Sequence, residues 1–243
     1  MECARLNRYG LLSVSGEDAR EFLHAQLTID MRNLPRSRAG LAGWCSAKGR
    51  LLATFLVVPA PQGFLLQLSR DLAPAIAKRL SMFVLRSKVK IADDSDRWAQ
   101  FGVWNADWNE ILAWDGGRAT VPVGERRFLR LEPVDATSLS PNADEEAWTL
   151  QEIRAGRPLI TAATQDQFVP QMVNLEALGG VDFQKGCYPG QEIVARAQYR
   201  GQVKRRMVHL RAPGEHDLRP GQDYNGGVVV DSAGGELLAV MPE

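Results

Sequence analysis

The sequence predicts an α+β fold built mainly from antiparallel sheets flanked by helices. Short stretches of alternating or continuous apolar residues recur along the 243-residue chain, separated by predicted helices and by turn residues. The turn Ala47–Gly49 lies between two apolar stretches and predicts a β-hairpin, which joins antiparallel strands. After Gly201 the chain consists of short strand-like stretches between Gly- and Pro-rich turns. Hairpins of this kind favour antiparallel sheets over a parallel α/β fold.

The first half of the chain alternates between predicted strands and helices. The first strand is predicted over Tyr9 to Val14, and Ser15 with Asp18 forms a helix-start signal directly after it. A second helix is predicted from Asp71 to Phe83, with Pro74 in its first turn. Further strands are predicted over 41–46, 50–59, 64–68, 88–92, 98–104 and 128–131, and a short helix over 108–114. This order of elements indicates one α+β region.

A polar stretch with two prolines, from Glu132 to Asn142, is the best candidate for a linker. Asn142 followed by Glu145 signals the start of a helix, and Gly156 signals its end. Another helix is predicted over 191–198, and strands over 204–210, 227–231 and 236–241. We therefore expect an N-terminal α+β region over 1–140, a helix-and-loop region over 141–200 and a small terminal β domain over 201–243.

Composition restricts the class of protein. Hydrophobic residues make up 45% of the chain and charged residues 24%, which is typical of a globular protein. No stretch approaches the ~20 apolar residues that a membrane-spanning helix needs. The N-terminal Met1–Arg5 lacks the apolar core of a signal peptide, so we expect a cytoplasmic location. With 29 basic and 29 acidic residues, the net charge does not indicate a nucleic-acid binder.

The cysteines and histidines form no pattern typical of a metal site. The three cysteines are Cys3, Cys45 and Cys187, and the three histidines are His24, His209 and His216. Their spacing argues against a disulfide framework and against a four-cysteine zinc site. Each histidine is interpreted as a surface or packed side chain.

The stretch Lys185–Glu192, with the sequence KGCYPGQE, holds the predicted reactive group. Gly186 and the Pro189-Gly190 pair place turn residues on both sides of Cys187, directly before a predicted helix. The positive end of a helix and a nearby lysine favour the thiolate form of a cysteine. We predict that Cys187 is a functional thiol. A nucleophile, a redox group and a ligand facing a metal cluster remain alternatives.

Several ordered stretches resemble the signature of the YgfZ family. They are Phe168–Gln171, Asn174–Gly180, Lys185–Glu192 and Ala195-Arg196. Members of that family are folate-binding proteins of iron–sulfur cluster maintenance. They are related in fold to the T-protein of the glycine cleavage system, a tetrahydrofolate-dependent aminomethyltransferase. The resemblance implies a T-protein-like folate-binding fold that ends in a small, reduced β-barrel.

The resemblance also implies a binding site for tetrahydrofolate or a derivative. Tyr9 and Trp148 match the two folate-contacting aromatics of the family, and flat rings can stack on a pterin. Lys48, Arg50 and Arg196 would meet the glutamate carboxylates. The full predicted set is Tyr9, Trp148, Lys48, Arg50, Lys185, Gln191, Glu192 and Arg196, with Cys187 as the catalytic candidate. On spacing alone, Tyr9 is equally well explained as an edge-strand aromatic and Trp148 as a core residue of a helix. Lys48 and Arg50 are better explained, on spacing alone, as solvated charges of a hairpin.

By resemblance, the protein is an accessory factor that supports iron–sulfur enzymes and indirectly affects thiolation-type modification of tRNA. The expected partners are a folate and, transiently, iron–sulfur enzymes or cluster carriers. Contact with a membrane or directly with nucleic acid is not expected. Whether the protein catalyses a reaction is left open.

Two alternative functions remain. An aminomethyltransferase of the T-protein type carries an acidic pair after the hairpin, but Ala53 and Thr54 occupy those positions and neither accepts a proton near neutral pH. An RNA- or protein-binding module would use the basic stretch Arg196–Arg206, in which Tyr199 is the one aromatic residue. Both alternatives are disfavoured by these residues.

Overall fold

The computed structural model describes residues 1–201, 203–212, 214 and 218–243. His216, and Gln202 of the basic stretch, lie outside the described residues. The chain divides into two compact units, which are described separately. The first unit comprises Met1–Phe22, Arg32–Gly40 and Leu56–Trp148, and the second comprises Leu23–Met31, Leu41–Phe55 and Thr149–Glu243. The boundaries expected near residues 140 and 200 stay predictions.

Fourteen strands and four α-helices are present in the described part of the chain. The strands are β1 (Glu2–Arg5), β2 (Tyr9–Ser15), β3 (Gly40–Cys45), β4 (Leu51–Ala60), β5 (Gly63–Ser69), β6 (Lys90–Asp93), β7 (Trp98–Trp104), β8 (Ala113–Asp115), β9 (Arg118–Gly124), β10 (Arg127–Pro133), β11 (Arg205–Arg211), β12 (Asp223–Tyr224), β13 (Gly227–Ala233) and β14 (Glu236–Pro242). The helices are α1 (Ala19–Gln26), α2 (Ala73–Ser81), α3 (Glu145–Arg154) and α4 (Gln191–Tyr199), with a short 3₁₀ helix at Pro170–Val173. None of the helices described here is long and apolar enough to cross a membrane.

The first unit contains a sheet in the strand order β1-β7-β10-β9-β8, and its strand pairs are antiparallel. Successive side chains of a strand point to opposite faces of the sheet. Ala99, Phe101 and Val103 therefore share one face of β7, where they form a core with Phe128 and Cys3. The strand predicted over 98–104 is confirmed.

A second set of antiparallel strands in the first unit has β2 between β5 and β6, with Leu56–Ala60 of β4 next to β5. Helix α2 buries the apolar residues Ala73, Ile76, Ala77 and Leu80. It approaches β2 so closely that a Cβ atom at Gly10 would lie 2.7 Å from the Cβ of Ala73. A glycine in β2 thus permits close packing between helix and strand.

The second unit contains the terminal sheet, in the strand order β11-β14-β13-β12. Ala212, Val229, Leu237 and Ala239 form its core. The predicted small β-barrel is not closed among the described residues, because β11 and β12 are the two edges of an open antiparallel sheet. Strand β12 has two residues and pairs with β13. The terminal region is therefore an open sheet.

The predicted α+β class with mainly antiparallel sheets is confirmed. The helix predicted over 108–114 is wrong, since this stretch is irregular and ends in β8. The Trp108 ring packs 5.4 Å from the ring of Phe128, and the amide of Leu112 donates to the carbonyl of Ser37 at 3.0 Å. Trp108 and Leu112 therefore pack on the rest of the unit, while Ile111 is exposed, and the stretch does not form one face of a helix.

Candidate functional site

Cys187 lies on a loop of the second unit whose neighbouring side chains are buried. Lys185 is 6% exposed and Tyr188 is 7% exposed, whereas Cys187 itself is exposed. The Lys185 ammonium lies 4.9 Å from the centre of the Tyr188 ring. Asp182 Oδ1 accepts hydrogen bonds from the amides of Gln184 and Lys185 at 2.8 and 3.2 Å. The loop is thus anchored on both sides of its one exposed thiol.

The ammonium group of Lys185 is directed into the unit. Its Nζ donates to the backbone carbonyls of His24 and Leu27, at the C-terminal end of α1. Unpaired carbonyls at a helix C-terminus are a favourable place for a cation. Lys185 was predicted as a cofactor-binding residue, and these bonds give its ammonium an anchoring role in the loop.

The three thiols differ in burial. Burial raises the pKa of the Cys45 thiol to about 12. Burial, with a smaller contribution from Glu132, also raises the pKa of Cys3. Because the thiolate is the reactive form of cysteine, these two buried thiols are held in the unreactive form near neutral pH. Cys187 is the exposed thiol of the chain.

The hairpin turn before β4 touches the turn before α4 directly. Gly190 has φ +78°, and a Cβ atom there would lie 2.4 Å from the Ser46 carbonyl oxygen and 2.6 Å from the Gly49 Cα. Gly49 has φ +70°, and its own Cβ would lie 2.8 Å from the Cβ of Ile193. Glycine is the residue that accepts both the positive φ and so close an approach. The two turns therefore pack backbone against backbone.

This contact brings the hairpin cations to the same part of the second unit as the Cys187 loop. Lys48 and Arg50 are exposed on either side of Gly49. Arg50 Nη1 donates to the carbonyl of Asp166 at 3.2 Å, and Ser46 Oγ donates to Asp166 Oδ1 at 2.8 Å. The hairpin turn is therefore fixed from both sides while its cations reach solvent.

Helix α4 follows the loop, as predicted, and presents the remaining polar candidates. Gln191 is half-buried, while Glu192 and Arg196 are exposed. The helix is anchored at Val194, whose carbonyl accepts a hydrogen bond from the fully buried Gln171 at 2.7 Å. Cys187, Lys48, Arg50, Gln191, Glu192 and Arg196 thus all lie in the second unit, on or next to two turns in contact.

The two aromatic candidates belong to the first unit and are buried. Tyr9 is 5% exposed and Trp148 is 2% exposed. A Cβ atom at Gly102 would lie 2.2 Å from the Trp148 indole, the Arg127 guanidinium carbon lies 5.3 Å from its ring, and the Trp104 ring lies 6.0 Å away. A pterin ring stacked on Trp148 would have to displace one of these neighbours. In this arrangement, neither aromatic ring fits as an open stacking face.

A buried histidine and an aspartate next to the Cys187 loop were missed in the sequence. His24 is 6% exposed, and its Nδ1 lies 3.1 Å from Asp30 Oδ1. Its Nε2 lies 3.7 Å from the position of a Cβ atom on Gly186. No spacing signal could show that His24 lies next to the Cys187 loop, because His24 and Gly186 are distant in sequence and meet only through the fold.

The positions of the acidic pair in an aminomethyltransferase are structural in this chain. Ala53 is fully buried and Thr54 is 5% exposed. The Thr54 hydroxyl donates to the Pro158 carbonyl and accepts from the Ile160 amide, both at 3.1 Å. Its hydroxyl is therefore committed to the backbone and has no role as a proton acceptor.

No protein-family model matches the chain, but individual proteins do. The tRNA-modifying protein YgfZ of Klebsiella pneumoniae is 33% identical over 242 residues, covering 90% of this chain and 74% of that protein. The protein of the same name from Edwardsiella ictaluri is 32% identical, with coverages of 87% and 71%. An uncharacterized protein of Haemophilus influenzae is 32% identical, with coverages of 90% and 76%.

Among solved structures, the glycine cleavage system aminomethyltransferase T of Bartonella henselae superposes with a TM-score of 0.74. It covers 99% of this chain and 78% of that enzyme at 15% identity, so the likeness concerns the fold alone. The predicted T-protein-like fold is thereby confirmed. Because the matched proteins of known name share about a third of their residues with this chain over most of their length, the chain belongs to the YgfZ family.

Proposed function

We propose that this protein binds a reduced folate and acts as an accessory factor for iron–sulfur enzymes. Through those enzymes it would affect thiolation-type modification of tRNA. Membership of the YgfZ family supports the proposal, since the named relatives are called tRNA-modifying proteins. The fold shared with aminomethyltransferase T is consistent with a folate ligand.

The observation that carries the proposal is the contact between the two turns of the second unit. It places the exposed Cys187 loop next to the turn that holds Lys48 and Arg50. An exposed thiol in a loop next to a turn with solvent-facing cations is suited to an anionic ligand and to chemistry at sulfur. The other two thiols are buried, so Cys187 is the sulfur available for such a role.

The residues of this region fit the carboxylate end of a folate. Lys48, Arg50 and Arg196 are exposed cations, and hydrogen bonds between charged groups contribute about 1.5 to 3 kcal/mol each. A bound tetrahydrofolate would supply a carrier for one-carbon groups. Tyr9 and Trp148 stay predicted contacts of the pterin, although their burial gives them no open face for it.

Titration with tetrahydrofolate by calorimetry tests the folate part of the proposal. We expect saturable binding that becomes tighter with a polyglutamate tail, because added carboxylates meet the exposed cations. The double variant Lys48→Ala, Arg50→Ala should weaken binding about tenfold, equivalent to about 1.4 kcal/mol. Lys78→Ala removes another exposed lysine, on α2, and should leave binding unchanged.

The outcomes of this titration separate the two parts of the predicted ligand site. If Trp148→Phe weakens binding while the folded stability is retained, the pterin contacts the indole. Equal affinity for the monoglutamate and polyglutamate forms, with no effect of the hairpin variants, would refute the assigned cations. Absence of any binding would refute the folate proposal.

A cellular test addresses the accessory role. In bacteria that lack their own family member, this protein should restore thiolated nucleosides in tRNA and the activity of iron–sulfur enzymes. Cys187→Ser should fail to restore them, whereas Cys45→Ser should succeed, provided that both variants accumulate to the wild-type level. Full restoration by Cys187→Ser would contradict a functional role of this thiol.

A second candidate function is RNA binding by the outer face of α4. Tyr199 is 69% exposed and lies edge-on to Phe183, with ring centres 5.9 Å apart. Arg196 is exposed and lies three residues before Tyr199, at helical spacing, and the exposed Arg200 follows Tyr199 at the end of the helix. Exposed aromatics beside cations favour single-stranded nucleic acid. Salt-dependent tRNA binding that Tyr199→Ala and Arg200→Ala weaken, and that folate leaves unchanged, would support this function.

Aminomethyl transfer is not proposed for this chain. The side chains at the acidic positions of the aminomethyltransferase are Ala53 and Thr54, and the Thr54 hydroxyl is bonded to the backbone. Neither can stabilise a cationic intermediate or accept its proton. Measured folate-dependent release of formaldehyde would contradict this conclusion.

A further inference from the structure

The chain directly after helix α2 exposes a run of apolar side chains. Met82 is 71% exposed, Phe83 is 44% exposed and Leu85 is 90% exposed, with the half-buried Val84 between them. We call Met82–Leu85 the apolar tip. Apolar residues scattered singly over a surface need no explanation, whereas adjacent exposed ones mark a surface for an interaction.

Leu85 is held in a backbone conformation that leucine disfavours. Its φ is +41°, and it lies in a turn that the Ser87 amide closes by donating to the Val84 carbonyl at 2.8 Å. Glycine and asparagine are preferred at such a position, because at positive φ a Cβ atom comes too close to the backbone carbonyl. The side chain gains no burial in return, since Leu85 is the most exposed large hydrophobic residue in the described part of the chain. Stability of the fold therefore does not explain a leucine here, and strain of this kind is typical of functional segments.

The fold holds the apolar tip at both of its ends. The amide of Val84 donates to the carbonyl of Ser81, the last residue of α2, at 3.2 Å. After the tip, the amide of Lys88 donates to Asp18 Oδ2 at 2.7 Å. A Cβ atom on Gly16 would lie 2.0 Å from the Lys88 carbonyl oxygen, so the two backbones are in direct contact. The first unit thus presents the apolar side chains to solvent on a fixed segment.

Basic residues lie on both sides of the apolar tip. The sequence between Asp71 and Asp93 has five basic residues and no acidic residue. These flanking cations, all exposed, are Lys78, Arg79, Arg86, Lys88 and Lys90. Acids bonded to the segment are Glu17, whose carboxylate pairs with the Lys88 ammonium at 2.7 Å, and Asp18. The cations outnumber these acids in a chain of zero net charge, which favours an anionic partner.

A lipid surface fits this combination better than a protein does. A stable protein interface takes about 800 Å² and about 20 residues or more from each partner, whereas the apolar tip offers three exposed side chains. Insertion at the boundary between headgroups and acyl chains needs no such area, because fluid acyl chains adapt to an apolar group of any shape. Anionic headgroups attract each lysine or arginine that comes close to them.

We propose that the apolar tip and the flanking cations form an attachment site for membranes rich in anionic phospholipids. The side chains of Met82, Phe83 and Leu85 enter the boundary between headgroups and acyl chains, and the cations lie against the lipid phosphates. The attachment is peripheral, through one short segment of the first unit. It revises the expectation from the sequence that the protein makes no contact with a membrane. The site is independent of the folate proposal, since neither Cys187 nor the predicted ligand residues take part.

Sedimentation with sucrose-loaded vesicles tests the proposal. The purified protein is mixed with vesicles of phosphatidylcholine alone or of equal parts phosphatidylcholine and phosphatidylglycerol, and the fraction in the pellet is measured against lipid concentration. We expect saturable binding to the anionic vesicles and about tenfold weaker binding to phosphatidylcholine alone. Raising the salt concentration should weaken binding to the anionic vesicles, because salt screens the cations.

Leu85→Asn separates attachment from a structural role of this residue. Asparagine tolerates positive φ, so the variant should unfold at the same urea concentration as the wild type or higher, while its affinity for anionic vesicles should fall about tenfold. Ile111→Asn is the matched control, because Ile111 is 53% exposed elsewhere in the same unit and should leave binding unchanged. Arg86→Gln should weaken binding about fivefold, whereas Arg36→Gln alters an exposed arginine outside the flanking cations and should have no effect.

Three results would overturn the proposal. One is equal sedimentation with both kinds of vesicle, and another is binding to anionic vesicles that Leu85→Asn leaves unchanged. The third is no binding to either kind, and analytical ultracentrifugation without lipid then identifies the occupant. A dimer that Leu85→Asn dissociates would assign the apolar tip to a contact between two copies of the chain, and a monomer would assign it to a protein partner.

Discussion

Replacing Gly190 with alanine should destabilise the second unit by about 3 kcal/mol. The residue has φ +78°, and a left-handed backbone costs an L-residue about 1 to 2 kcal/mol. The new methyl group would lie 2.4 Å from the Ser46 carbonyl oxygen and 2.6 Å from the Gly49 Cα, and overpacking costs about 1 to 3 kcal/mol. The smaller entropy of the unfolded alanine chain offsets about 0.4 to 1 kcal/mol.

Gly179→Ala is the matched control, because Gly179 has φ +74° in the same unit and a Cβ atom there would have nothing within 4 Å. It incurs the backbone cost without the clash, so we expect a loss of about 1 kcal/mol. The difference between the two variants, about 2 kcal/mol, isolates the contact between the turns.

Unfolding of the second unit can be followed by pulsed alkylation of Cys45, which is 2% exposed and reacts only when this unit opens. The fraction labelled by mass spectrometry is measured against urea concentration for the wild type and both variants. If Gly190→Ala proves no less stable than Gly179→Ala, the turns do not press together and the packing described for the site is refuted.

Three further predictions concern the thiols, a buried ammonium and an acidic network. Cys187 should be alkylated at neutral pH much faster than Cys45, whose pKa burial raises to about 12; equal rates by mass spectrometry would contradict this. Lys185→Met leaves the carbonyls of His24 and Leu27 without their donor and should lower the free energy of unfolding by about 1 to 3 kcal/mol. Lys48→Met should lower it by less than about 0.5 kcal/mol, because this side chain is exposed. Urea titrations measure both values. Hydrogen bonds from the Arg154 guanidinium, and to a smaller extent from the His209 ring, lower the pKa of the Glu236 carboxyl from 4.5 to about 2. A carboxyl whose pKa is lower in the folded than in the unfolded protein stabilises the fold at pH values above its unfolded pKa. This contribution should be lost as the pH falls from about 4.5 to about 2. In urea titrations, the difference in free energy of unfolding between the wild type and Glu236→Gln should therefore shrink over that pH range.

The sequence predicted most of the elements that local patterns encode. The apolar stretch over 98–104 identified a strand, and Pro74 in the first turn of the stretch from Asp71 to Phe83 identified helix α2. Turn residues bracketing Cys187 placed it on a loop before α4, which begins at Gln191 as expected. Gly, Pro and apolar periodicity act over a few residues, so the sequence displays them directly.

Tertiary packing decided what those patterns left open. The spacing of Trp108 and its neighbours suited a helix, but their rings and amides found partners elsewhere in the first unit. Closure of the terminal barrel depends on strand pairing, and in the described part of the chain β11 and β12 remain the edges of an open sheet. Pairing partners come from distant parts of the chain, which local periodicity does not specify.

For the site, the sequence by itself determined the residue types: an exposed thiol in a Gly- and Pro-rich loop, cations in a hairpin turn and a helix after the loop. The fold alone decided their roles. It turned the Lys185 ammonium inward to two carbonyls, buried Trp148 among its neighbours and brought His24 against Gly186. Side-chain direction and burial depend on contacts between residues far apart in the chain. These contacts exist only in the folded protein, so the sequence indicated the chemistry of the site and the tertiary structure assigned its geometry.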